Sequence, residues 1–204
     1  MYTNKVMRIL ELLMFAVFLN SLWLTGIVVG LVFFGMGPST MALSYVVNQE
    51  DTFGSHTGFK DLLKLFISEY KKCFIKSNIV FLIYLTSLLV LLFNFNIIRY
   101  NTIMHSLFYV PIVVMIVYFT TTVIISIPVS LLTDGNFKEK ARLTLLSPIL
   151  TGSSAAFNLI YMLLFVLLTL IAPIGIVLVY GTLFVLGIMK INEKKLVQKR
   201  LIHV

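Results

Sequence analysis

The sequence predicts an all-α, polytopic transmembrane helical bundle of about five spans with one further amphipathic helix at the membrane surface. Three observations carry that prediction. Four stretches, residues 12–49, 77–98, 100–133 and 143–189, contain no Lys, Arg, Asp or Glu and together hold 141 of the 204 residues. The apolar fraction is 59% and the charged fraction 12%, against roughly 45–50% and about 25% in globular domains. The charges that remain sit in short junctions between apolar runs, where a water-soluble helix would spread them along its wet face.

A span takes about 20 residues to cross roughly 30 Å of hydrocarbon. Residues 12–34 make the first span. The run is too long for the 7–15-residue core of a signal peptide, and no small-residue cleavage pattern follows it, so it reads as a retained span. The remainder of that block begins at Gly35-Met36-Gly37-Pro38, which is expected to interrupt the helix. A short helix over 38–48 follows, with Pro38 in its first turn.

Residues 49–58 are polar and contain two Gly, as a loop requires. In 59–76, Phe59, Leu62, Leu63, Phe66, Ile67, Tyr70, Cys73 and Phe74 recur at helical spacing, with Lys60, Asp61, Lys64, Lys71 and Lys72 opposite. This pattern predicts a helix lying in the membrane interface. The second span is 77–97. The third is 104–130, with Pro111 and Pro128 toward its ends. The last block is long enough for two spans, 150–170 and 174–190, turning at Ala172-Pro173-Ile174-Gly175. The chain is a single membrane domain over 1–204.

With five spans, thirteen of the sixteen Lys and Arg fall on one side, which places the 59–76 helix, the 134–142 loop and the C-terminal tail in the cytoplasm. A return of 38–48 through the membrane would move the N-terminus inside and raise the asymmetry to fifteen against one. Eleven residues are too few to span, which favours five. The net charge of +8 belongs to these junctions, beside anionic headgroups, and not to a nucleic-acid groove. The expected partner is the lipid bilayer.

No P-loop, G-x-G-x-x-G, G-x-S-x-G or H-E-x-x-H pattern is present, so no catalytic, cofactor-binding or metal residue is expected. His56, His105 and His203 lie far apart, and the single Cys73 excludes an intramolecular disulfide. No Asp, Glu, Lys, Arg or His lies inside a span except His105 and Lys190 at span ends, which argues against ion-coupled transport. Neutral polar residues are present: Asn20, Ser21 and Thr25, then Thr86 and Ser87, Thr120–Thr122 and Ser126, and Ser153, Ser154 and Asn158. Asn20, Thr25 and Asn158 are candidates for polar lining or for hydrogen bonds between helices. Gly26 and Gly30 form a GxxxG pattern that admits close approach of another helix.

The sharpest motif is Gly35, Gly37, Pro38, Ser39, Thr40 and Ala42. A broken helix in a membrane exposes backbone N–H groups, where transporters place substrates; the plainer reading is a bend onto the bilayer surface. Here the chain resembles the YesL-like bacterial membrane proteins, a family of unknown function. Gly35, Pro38, Ser39, Thr40, Ala42 and Leu43 carry the resemblance, followed by Phe59, Phe66, Tyr70, Lys71 and Phe74. The short charged loop 136–142, a Pro-broken last hairpin and a basic tail extend it.

The resemblance implies residence in the bacterial cell membrane and a non-enzymatic accessory role beside a carbohydrate (ABC-type) uptake system. Its partners would be transporter subunits, reached through the GxxxG face or the 59–76 helix. The residues themselves also admit a small permease or channel for a neutral solute, acting as a homo-oligomer.

Overall fold

A computed structural model describes residues 2–49, 58–133 and 136–198. Most of the polar loop, with His56, and the end of the tail, with His203, lie outside them. Among the described residues the chain forms seven α-helices and no strand. They are α1 (Tyr2–Val29), α2 (Phe33–Asn48), α3 (Phe59–Ile98), α4 (Thr102–Leu132), α5 (Phe137–Leu150), α6 (Gly152–Ile171) and α7 (Gly181–Gln198), with a π-helical turn at Ile176–Tyr180 before the last. Five helical stretches are long and apolar enough to cross a membrane: Ile9–Val29, Phe59–Ile98, Thr102–Leu132, Gly152–Ile171 and Ile176–Glu193.

The first helix does not break at Gly35-Pro38. It stops six residues before Gly35, and the chain reverses over Gly30-Leu31-Val32. Val32 N–H donates to Ile27 O at 2.9 Å and Leu31 N–H to Val28 O at 3.0 Å, the paired bonds of a Schellman closure. Leu31, at φ 54°, occupies the left-handed position that glycine usually takes. Val32, at φ 65° and ψ −66°, then forms a γ-turn in which Phe33 N–H reaches Leu31 O at 2.8 Å. Pro38 lies inside α2 instead of opening it.

At 16 residues α2 is about 24 Å long, short of a span. It is nonetheless the centre of the fold and touches α1, α3, α4 and α7. Ser39, Ala42, Leu43, Val46 and Val47 recur at helical spacing and are buried. Leu43 and Val46 join Leu19 of α1, Leu62 and Phe66 of α3, and Val185 and Met189 of α7 in one core cluster. Beyond them, Leu196 of α7 packs with Ile125 and Val129 of α4. α7 therefore crosses α1, α2 and α4 in turn.

The amphipathic stretch 59–76 and the span 77–97 are not separate. They form one helix of 40 residues, about 60 Å, because no Gly or Pro interrupts residues 59–98. Part of the apolar face of the first half packs within the protein, while Phe59, Leu63 and Ile67 of the same face stay exposed. Leu62 and Phe66 are buried against α1 and α2, while Lys60, Lys64, Lys71, Lys72 and Lys76 are exposed.

The α1–α2 hairpin meets α3 as far along as Ser77 and Phe81: Tyr70 Oη donates to Gly26 O at 3.0 Å, and Gly37 lies against the Ser77 backbone and the Phe81 side chain. The second half of α3 extends beyond it beside the first half of α4, joined through Tyr84 and Thr120 and through the Phe95–Tyr109 ring pair. No residue from 79 to 111 is buried.

α4 starts on an Asn101 cap, whose side chain accepts from the N–H of Ile103 and Met104, and holds Pro111 and Pro128 within it. The expected charged loop of 134–142 is helical from Phe137 on, and α5 is broken from α6 at Thr151. The turn at 172–175 falls where the sequence puts it, closed by Gly175 N–H on Ala172 O at 3.1 Å.

Candidate functional site

The motif of α2 is a packing surface. A Cβ on Gly35 would run into the Ile27 carbonyl and the Gly26 carbonyl, so only glycine lets α2 lie this close to α1. The GxxxG pattern provides the other side of the contact. A Cβ on Gly26 would come within 2.6 Å of Ser39 Oγ, and one on Gly30 would overlap the Gly35 backbone. The Gly26/Gly30 face is therefore occupied by α2 of the same chain and by Tyr70, and is not free for a partner, contrary to the sequence expectation.

The polar members of the motif are held locally. Ser39 Oγ donates to Trp23 O at 2.6 Å, Trp23 Nε1 donates to Thr40 Oγ1 at 3.1 Å, and Thr40 Oγ1 donates to Met36 O at 2.7 Å. Ala42 and Ser39 have no exposed surface, and Pro38 is buried. Gly37 approaches Ser77 of α3.

Asn20 bonds the π-helical turn. Its Nδ2 donates to the carbonyls of Ile176 and Val177, both at 2.8 Å, and its Oδ1 accepts from Thr182 N–H at 3.3 Å. A π-helix bonds i to i+5, which disturbs the regular carbonyl pattern at its ends. A buried side-chain amide is a suitable partner for the carbonyls left there. Gly181 makes the approach possible, since a Cβ would meet Asn20 Oδ1 at 2.8 Å and the Trp23 ring. Thr182 Oγ1 adds a bond to Ala16 O at 3.1 Å.

Asn158 pairs with Asn192 across α6 and α7, and Ser154 Oγ donates to Asn192 Oδ1 at 2.6 Å. Sequence reading singled out Asn158 but not Asn192, which falls in the charged tail beyond the apolar block. Thr25 is exposed and donates to Ser21 O of its own helix at 2.8 Å, with no bond to another helix among the described residues.

Among the described residues, Asn78 Oδ1 is the one buried side-chain polar atom without a partner. No group of three His, Cys, Asp or Glu that could hold a metal ion occurs among them. The motif and these asparagines thus form contacts within the bundle. The open features lie elsewhere. Leu82, Ile83, Thr86, Ser87, Val90 and Leu91 of α3, with Phe119 of α4, line an open groove of about 550 Å³ on the extended hairpin.

Apolar helices of spanning length, joined by short connections and bonded to one another through buried amides and hydroxyls, define a multi-pass helical membrane protein. Within that class, residues 16–95 match the model of a family described as "Protein of unknown function, DUF624". The matched segment, less than half of the chain, runs from α1 to nearly the end of α3 and includes the whole of the α2 motif. No curated protein and no solved structure matches the chain.

Proposed function

We propose that the chain is a non-enzymatic membrane partner of the YesL-like type, acting beside a bacterial carbohydrate (ABC-type) uptake system in the cell membrane. The basic junctions and the tail would face the cytoplasm. The observation that carries this reading is the hairpin formed by the second half of α3 and the first half of α4. It reaches past the α1–α2 hairpin, buries nothing from 79 to 111, and presents a groove containing Thr86 and Ser87. Thr86 is exposed in a groove that is apolar apart from it and Ser87, and a hydroxyl in hydrocarbon gains from a neighbouring helix that accepts its bond. The polar groups of α2, in contrast, are already bonded inside the chain.

Affinity purification of the full chain from its native membranes tests the proposal. Permease subunits should copurify with the wild type and be lost from Thr86→Trp, which fills the groove without touching the α2 core. Recovery of no transporter subunit with the wild type would overturn it.

A second reading, a small permease for a neutral solute acting as an oligomer, draws on the unpaired Asn78 amide oxygen at the junction of the two halves of α3. Solute flux in vesicles carrying the purified chain alone is its test. Sealed vesicles with no flux above protein-free controls would remove it.

A further inference from the structure

α5 carries a second open groove, separate from the surfaces used above. Phe137, Ala141, Leu145 and Leu146 line it, with Lys138 and Arg142 at the same place, and its volume is about 510 Å³. Lys138 and Arg142 are four residues apart and so share one side of the helix. Both are exposed, and neither forms an ion pair or hydrogen bond with any described residue. The carboxylate nearest in sequence is engaged elsewhere: Glu139 accepts from the Asn136 N–H at 3.1 Å in the capping box that starts α5. Lys140 is also committed, donating to Ser130 O at 2.8 Å. Two free cations therefore stand over a floor of exposed apolar side chains, with Phe137 59%, Leu145 49% and Leu146 41% accessible.

That combination selects for a ligand with two parts. Lys and Arg give charge-assisted hydrogen bonds to phosphate oxygens, and Arg can give two at once. A free phosphate would use the cations and leave the leucines in contact with solvent. A hydrocarbon chain would use the leucines and leave the cations unmatched. An anionic glycerophospholipid satisfies both halves, and the bilayer around a multi-pass protein supplies it. We infer that the α5 groove binds one anionic glycerophospholipid, with its headgroup phosphate between Lys138 and Arg142 and an acyl chain along Ala141, Leu145 and Leu146.

The test uses the full-length chain in detergent, with lipid retention read by native mass spectrometry. Phosphatidylglycerol is compared with phosphatidylcholine of the same acyl chains. The wild type should retain the anionic lipid in preference by about thirtyfold, the order that two juxtamembrane cations provide. The preference should fall to near unity in Lys138→Gln/Arg142→Gln. It should persist in Lys64→Gln/Lys71→Gln, which removes equal charge from the exposed side of α3. Ala141→Trp keeps both cations but fills the groove, and should also abolish retention.

An unchanged preference in Lys138→Gln/Arg142→Gln would overturn the assignment. So would an equal loss in the α3 control, which would show a general charge effect. Retention that survives Ala141→Trp but is displaced by glycerol phosphate would reduce the site to a headgroup contact, and the inference would fail.

Discussion

Asn158 and Asn192 exchange hydrogen bonds across α6 and α7, Nδ2 to Oδ1 in each direction, at 2.9 and 3.1 Å. Both are about 1% exposed, and Asn192 Nδ2 also donates to Ile188 O at 2.7 Å. In hydrocarbon, helices gain little from hydrophobic association, so packing and such bonds hold a pair of helices together. Replacing one amide leaves the other buried without its partner, which costs more than the bond is worth. Asn158→Leu should lower stability by about 1–2 kcal/mol. Adding Asn192→Leu should recover part of that loss, since both amides are then gone and only the buried Ser154 Oγ loses its acceptor. Unfolding of the two single variants and the double variant in one detergent gives the coupling directly; additive losses would show that the pair is not coupled.

Asn20 should behave differently, because its partners are backbone groups that mutation cannot remove. Asn20→Leu leaves the Ile176 and Val177 carbonyls and the Thr182 N–H without their side-chain partner. The expected cost is about 2 kcal/mol, and no second substitution in α7 should restore it. Amide hydrogen exchange provides a sharper readout than stability alone. Protection should fall at residues 176–182 while that of α3 is unchanged.

The α1–α2 turn shows how far the sequence could be read and where it misled. Charge-free blocks divided by the thickness of a bilayer yield the spans, because burial of charge in hydrocarbon is costly enough to dominate every local preference. The turn is another matter. Gly35, Gly37 and Pro38 look like its residues, yet it is built from Leu31 and Val32 at positive φ. The glycines serve contact instead: Gly26, Gly30 and Gly35 are where two backbones meet. Propensity reports what a residue allows locally and does not say whether the allowance is used for a turn or for an approach.

The same limitation hid the continuity of α3. Lysines on one face of 59–76 read as a surface helix, and only tertiary packing shows that Leu62 and Phe66 of the other face are buried against α1 and α2. Asn192 was missed for a related reason. It lies next to Glu193 and Lys194, where charge density marks a tail, although α7 carries it back into the bundle against α6.

Two glycine substitutions with opposite signs follow from the turn. Leu31 is 78% exposed and packs on little, so Leu31→Gly should relieve its left-handed conformation and stabilise the fold by about 1 kcal/mol. Gly35→Ala should destabilise by at least about 2 kcal/mol, because the added methyl meets the α1 backbone, which cannot rotate away. Thermal unfolding in detergent distinguishes the two. A loss in Leu31→Gly would mean that its side chain matters more than its backbone conformation.

Asn78 separates a structural residue from one kept for a ligand. It is 7% exposed, and its Oδ1 has no partner among the described residues. An unsatisfied buried amide oxygen costs about 1–3 kcal/mol relative to its solvated state. Leucine branches at the same carbon and has no polar atom, so Asn78→Leu should raise stability by about 1 kcal/mol if the oxygen faces only packed side chains that can take the larger methyl groups. If an ordered water or a passing solute occupies the site, the substitution removes that bond as well and stability should fall or stay level. Measured beside vesicle flux, the variant divides the readings. Higher stability without any change in transport leaves Asn78 with no part in a pathway, and lower stability with lost flux would revive the permease.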